Sequence, residues 1–200
     1  MSAGMSEDET RCPWAGNDPL YIAYHDTEWG VPKHDSRALF EKLVLEGFQA
    51  GLSWITILRK RERFREVFDN FEAAQMVDYG PEKIEALLKD PGIIRHRGKI
   101  EAAISNARAF LELEQGPGFT NFIWDTVDGQ TVQNGFRSMS EIPAETAQSR
   151  ALAKALKAHG FRFCGPVTVY AFMQSVGLVN DHLVSCPRHA ACAGLAQQAG

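Results

Sequence analysis

The chain has 200 residues, 44% hydrophobic and 23% charged. That balance excludes collagen-like, low-complexity and broadly disordered chains and suits one domain burying roughly 70% of its unfolded surface. Net charge is −4, so any nucleic-acid partner must be gripped by a local basic patch, because the overall field is not positive.

Residues 1–10 lack an apolar period and are expected to be disordered, residues 189–200 to form a frayed tail, and residues 11–188 to form a single domain with two lobes. Ser36 is placed to cap a helix carrying Leu39, Phe40, Leu43, Val44 and Gly47 at 3.6-residue spacing. Gly51 and Leu52 read as a turn before a second helix, from about Ser53 to Phe68. Pro81 opens and Pro91-Gly92 closes a helix around EKIEALLK. Ile100, Ala103, Ile104, Ala107, Phe110 and Leu111 mark another, which Gly116-Pro117-Gly118 ends. Phe119 to Val127 reads as a short aromatic helix and Asp128 to Pro143 as an extended loop. The helical pattern resumes from Ser149, breaks between Gly160 and Gly165, and resumes from Pro166 to Val176. With about eight helices and no strand, the class is all-α. The apolar run from Pro166 to Val179 is interrupted by Thr168, Gln174 and Ser175 and falls short of the ~20 residues of a membrane helix.

Four cysteines, Cys12, Cys164, Cys186 and Cys192, are too few for a small secreted scaffold, and the polar, acidic start MSAGMSEDET reads as no export signal. The expected setting is the reducing cytoplasm. Two of these thiols belong to a candidate metal site: Cys12 and His25 near one end of the chain, and His182 and Cys186 at i, i+4 near the other. Such a pair shares a helical face and can chelate one ion, and four N and S ligands close the site, making it structural. A buried thiol or a hydrogen-bonded core histidine accounts for each half equally well, and His189 and Cys192 are alternative ligands.

Between about residues 152 and 177, two apolar helices flank GFRFCG, a tight glycine-bounded turn able to offer backbone N–H groups to a phosphate, with Lys154, Lys157 and Arg162 around it. An ordinary packed helix pair would look the same. Trp14, Tyr21, Tyr24, Trp29 and Trp54 concentrate flat aromatics in the first 54 positions, as a pocket that stacks a base requires, although each ring alone reads as core. Glu46 continues the row Leu39, Leu43, Glu46, Ala50, so its carboxylate faces the apolar side while Glu41 and Lys42 face away. A buried carboxylate needs a partner, a metal or a task. Arg59-Lys60-Arg61 with Arg63, and Arg95-His96-Arg97 with Lys99, are basic runs that read first as solvated surface.

The segments RCPW, DPLYIAYHDTEWGVP, LEGFQAGLSWITIL, GIIRHRGKI, GFRFCG and FMQSVGLVNDH, spread from Arg11 to Cys186, closely resemble the bacterial DNA-3-methyladenine glycosylase I family, a divergent branch of the helix-hairpin-helix glycosylases. The resemblance implies a structural zinc ion on Cys12, His25, His182 and Cys186, joining the two ends of the chain. It implies base recognition by Tyr24, Glu46 and Trp54, with Tyr21, Trp14 and Trp29 nearby. It places Gly51 and Leu52 where the family enters the gap left in DNA, and makes Phe161, Arg162, Phe163, Cys164 and Gly165 the phosphate grip. Asn180 stands where related repair enzymes carry a catalytic Asp, and whether Asp181 replaces it is open. No lysine lies between the hairpin and Asn180, which favours a monofunctional hydrolase. The expectation is a monomer that releases 3-methyladenine from double-stranded alkylated DNA and has no membrane partner. The alternatives are a non-catalytic, zinc-stapled DNA-binding module and a zinc hydrolase with an open ligand position.

Overall fold

In the computed structural model, which describes residues 10–199, the polypeptide forms ten α-helices among the described residues. Residues 1–9 of the expected disordered start lie outside the described residues. Asp18 accepts hydrogen bonds from Leu20 and Tyr21 N–H and Pro19 follows, launching α1 (Pro19–Thr27). Asp35, one residue before the expected Ser36, caps α2 (Ser36–Gln49) through Ala38 N–H at 2.7 Å. The turn at Gly51 leads into α3 (Trp54–Val67), followed by the short α4 (Ala73–Met76) and α5 (Pro81–Lys89). His96 caps α6 (Arg97–Glu114), whose apolar stripe is almost wholly buried, and α7 (Phe119–Trp124) follows Gly118. A Thr146–Ser149 capping box starts α8 (Ala147–Ala158), and Pro166 opens α9 (Pro166–Ser175).

One continuous apolar cluster runs from Leu39 to Val179, with Phe48, Phe64, Phe68, Phe119 and Phe172 fully buried. Through it α2 packs on α3, α6 and α9, and α8 packs on α9.

Two expectations are corrected. The loop 128–143 contains β1 (Val132–Gln133), which pairs in parallel with β2 (Val179–Asn180). Two residues are too few for alternation to reveal a strand. The segment expected to fray forms α10 (Pro187–Ala199), with Cys192 buried. Alanine's helix propensity carries that segment despite its weak amphipathic pattern.

Gly177 sets the path of the chain beyond α9. Its φ is +77°, and a Cβ there would lie 2.5 Å from the Pro32 nitrogen, so only glycine lets the 176–178 turn run against the segment after α1. Lys33 N–H donates to the Val176 carbonyl at 3.0 Å across that contact. β2 then delivers Asn180, Asp181 and His182 beside residues from the start of the chain.

Candidate active site and metal centre

Helices α1, α2, α3 and α9 surround a cavity of about 360 Å³ lined by Trp14, Tyr21, Tyr24, Trp29, Glu46 and Trp54. These are the six residues that the sequence singled out. Trp14 packs 5.0 Å from both Tyr21 and Trp29, centroid to centroid, and Tyr24 lies 5.5 Å from Trp54. The Trp54 indole N–H is buried and finds no acceptor among the described residues. Gln49, Tyr170 and Gln174 add polar edges, and the 139–144 segment and Val167 close the wall. Nothing in the sequence marked that wall, because it comes from an irregular segment and one exposed face of α9.

Glu46 is 4% exposed, and burial pushes its carboxyl up to about 7 while Lys42 pulls it back. Lys42 is the correction here. It is 7% exposed instead of facing away, with Nζ 3.8 Å from the Glu46 carboxylate. The ammonium donates to the Tyr24 hydroxyl at 2.5 Å and lies 3.5 Å from the centre of the Trp54 ring. Burial pushes it down to about 7, with Glu46 opposing. The i, i+4 relation of Lys42 to Glu46 was the available signal.

Asn180 and Asp181 do not line this cavity. The Asn180 amide donates to Gln133 at 2.8 Å and to the His189 carbonyl at 2.9 Å, tying β2 to β1 and α10. Asp181 is buried and accepts from Tyr170 at 2.5 Å, Gln174 at 2.8 Å and Asn134 at 2.7 Å. It therefore braces two residues of the cavity wall.

The turn after α2 is exposed, with Gly51 at φ +84° and Leu52 40% accessible. Lys99 clamps it from α6 by donating to the Phe48 and Ala50 carbonyls at 2.9 and 2.7 Å. Beside Gly47 of α2, the connection between α8 and α9 turns at Gly160 and Phe163, both at positive φ. Asn106 of α6 pins it, accepting from Arg162 N–H at 2.8 Å and donating to the Arg162 carbonyl at 3.1 Å. Phe161 and Cys164 are buried, and Phe163 is 37% exposed. Gly165 caps α9 with open space around it, leaving the first N–H groups of α9 without a side-chain cap. Lys154, Lys157, Arg150 and Arg162 border the groove in front of it. The basic run of α3 is spent internally, with Arg59 on Asp18, Arg61 on Glu28 and Arg63 on Asp90.

Cys12, His25, His182 and Cys186 converge at the back of the aromatic wall, their ligand atoms all within 4.8 Å of one another. Cys12 Sγ is 3.6 Å from His182 Nδ1, and Cys186 Sγ is 3.7 Å from His25 Nε2 and 3.8 Å from His182 Nδ1. The other nitrogen of each ring is engaged: His25 Nδ1 with Asp26 at 2.7 Å, His182 Nε2 with the Trp29 carbonyl at 3.0 Å. Those contacts turn the free lone pairs toward the thiols, as a metal-binding group requires. The contact between the two thiols splits them, holding Cys186 far below its ordinary range and raising Cys12. His189, bonded to the Asn134 carbonyl, and Cys192, against the Trp29 carbonyl, stand outside the group.

This architecture is that of a DNA glycosylase. The structure resembles the crystal structure of 3-methyladenine DNA glycosylase I with a TM-score of 0.88 at 55% identity, over 89% of this chain and 98% of that one. It also resembles a variant of 3-methyladenine DNA glycosylase I solved in complex with 3-methyladenine, with a TM-score of 0.86 at 39% identity, over 88% and 96% of the two chains. DNA-3-methyladenine glycosylase 1 of Escherichia coli (strain K12) is 54% identical over 177 residues, 88% of this chain and 95% of that protein. The methyladenine glycosylase family model matches residues 14–189, and the chain belongs to the methyladenine glycosylase family.

Proposed function

We propose that this protein removes 3-methyladenine from alkylated double-stranded DNA in base-excision repair, releasing the free base and leaving an abasic site. The observation that carries the reading is Glu46, a buried carboxylate at the edge of a cavity walled by aromatic rings. A flat base with a formal positive charge suits both features. The carboxylate can accept from the exocyclic amine of adenine, which guanine replaces with an acceptor at O6. A DNA-binding module that cuts nothing has no use for such a cavity.

The chemistry asks little of the protein. Methylation at N3 makes adenine a good leaving group. As the C1′–N9 bond breaks, its electron pair passes to the base and cancels the positive charge. Water adds its oxygen to C1′, and one proton of that water is released. The protein's task is to hold the flipped nucleotide, with Tyr24, Trp54 and the neighbouring rings providing stacking faces and Glu46 recognition and electrostatic support. We assign no base catalysis to Asn180 and no lyase step, since neither Asn180 nor a lysine lines the cavity.

The helix-hairpin-helix of α8 and α9 is assigned to the phosphates, through the uncapped N–H groups after Gly165 and the cations bordering the groove, with the Gly51–Leu52 turn filling the gap left by the flipped nucleotide. The four-ligand group is assigned to one structural zinc ion. Tetrahedral Zn–S and Zn–N bonds of about 2.3 and 2.0 Å give S···N edges of about 3.5 Å, close to the 3.6–3.8 Å separations here. Four protein ligands leave no position for a hydrolytic water. No helix among the described residues is long and apolar enough to cross a membrane, and the assigned setting is a cytoplasmic monomer. Incubation with methylated duplex DNA and chromatography of the released bases tests the activity. Free 3-methyladenine is expected, and its absence from a folded preparation would overturn the reading.

A further inference from the structure

Base release by itself needs no lysine at position 42, yet the Lys42 ammonium is buried among the proposed recognition residues. We infer that Lys42 is a positioning residue for base recognition: its ammonium links the Tyr24 hydroxyl, the Trp54 ring and the Glu46 carboxylate into one unit and keeps that carboxylate charged. The inference rests on the assignment of those three residues to the base.

Lys42 does not reach the cavity wall, so it acts through the side chains it touches. By donating to the Tyr24 oxygen at 2.5 Å, it leaves the phenol's own proton free for another acceptor. Lying 3.5 Å from the Trp54 ring centre, the ammonium fixes the ring by cation–π attraction.

The third contact concerns charge. On α2 itself, Glu46 faces Lys42 at 3.8 Å. From α1 come the phenols of Tyr21 and Tyr24, and just past its end Glu28, which is engaged bidentately by Arg61 of α3 at 2.6 and 2.9 Å and so is largely cancelled. Lys33, in the segment after α1, opposes the charge on Lys42. From α9 comes the Ser175 hydroxyl, whose hydrogen bond also favours the charged carboxylate, while the Tyr170 hydroxyl is spent on Asp181 and the helix carries no charged residue. Lys42 is therefore the cation that offsets the burial of Glu46. Remove it and the carboxyl must titrate at higher pH, because desolvation remains while the attraction goes. Around neutral pH the cavity would then hold a neutral acid, which neither attracts a cationic base nor accepts from its amine on both oxygens.

The test is the single-turnover rate of 3-methyladenine release from methylated duplex DNA between about pH 5.5 and about 9, for wild type, Lys42→Met, Lys42→Arg and Glu46→Gln. Lys42→Met should move the acid limb upward by about one pH unit and lose roughly fivefold at neutral pH, approaching tenfold near pH 6. Near pH 9, where Glu46 is ionised in both proteins and Lys42 of the wild type has itself lost its proton, it should regain the wild-type rate. Lys42→Arg, which keeps the cation, should hold the wild-type limb even if packing lowers its rate. A Lys42→Met profile like the wild type's, or a rate lowered equally at every pH, overturns the inference while a large Glu46→Gln defect leaves the cavity assignment standing. Wild-type activity in Glu46→Gln overturns both.

Discussion

A buried carboxylate with one cation 3.8 Å away is a poor stabiliser of a fold, because desolvation consumes most of what the pair returns. Glu46 is therefore better explained by ligand than by stability, and Glu46→Gln separates the two. Losing one charged hydrogen bond costs about 1.5–3 kcal/mol, so excision should fall roughly 10- to 200-fold without being abolished. Affinity for free 3-methyladenine, followed by tryptophan fluorescence, should fall in parallel. Unchanged affinity with complete loss of turnover would instead make Glu46 a chemical catalyst. At this scale the six cavity residues were legible from aromatic concentration and an i, i+4 His/Cys pair survives in one dimension, whereas choosing Cys12, His25, His182 and Cys186 over His189 and Cys192 took the family resemblance. Lys42 was not: a lysine beside an apolar row reads as outward-facing until tertiary packing places an acceptor over it.

Among the elements, the hairpin and the Gly177 turn carry opposite expectations. Gly165 has an ordinary φ of −69° and open space where a Cβ would go, so Gly165→Leu should fold normally while its side chain blocks the α9 N-terminus. Affinity should fall about tenfold for damaged and undamaged duplexes alike, since phosphate contacts carry no sequence information. A titration showing unchanged binding to undamaged DNA would remove the hairpin from the interface. Gly177→Ala, in contrast, meets Pro32 backbone at 2.5 Å with φ at +77° and should cost about 3 kcal/mol in denaturant unfolding. The helices from Ser36 to Ser175 followed their apolar periods, except the four-residue α4 (Ala73–Met76), which is too short to carry one. The β1–β2 pairing, the 139–144 wall and α10 did not, since each is placed by contacts distant in sequence and none carries a period of its own.

Over the whole molecule, the proposed metal group joins positions 170 residues apart, as Cys12 and His182 show, and an ion closing so long a loop would restrict the unfolded chain heavily. Chelation should lower the melting temperature by about 10 °C, on the scale of a few kcal/mol for a chain this size, and the Cys12→Ala, His182→Ala double variant should reproduce it. Metal analysis finding no zinc, or unchanged melting of the variant, would remove the staple. The same group backs the aromatic wall, with Trp14 5.1 Å from His25 and Trp29 4.6 Å from His182 between ring centres. The wall residues are made early in translation, but the histidine and cysteine that lock them in place are made last. If the four side chains hold one ion as proposed, a nascent chain arrested before residue 182 carries the aromatic wall without half of the group that backs it.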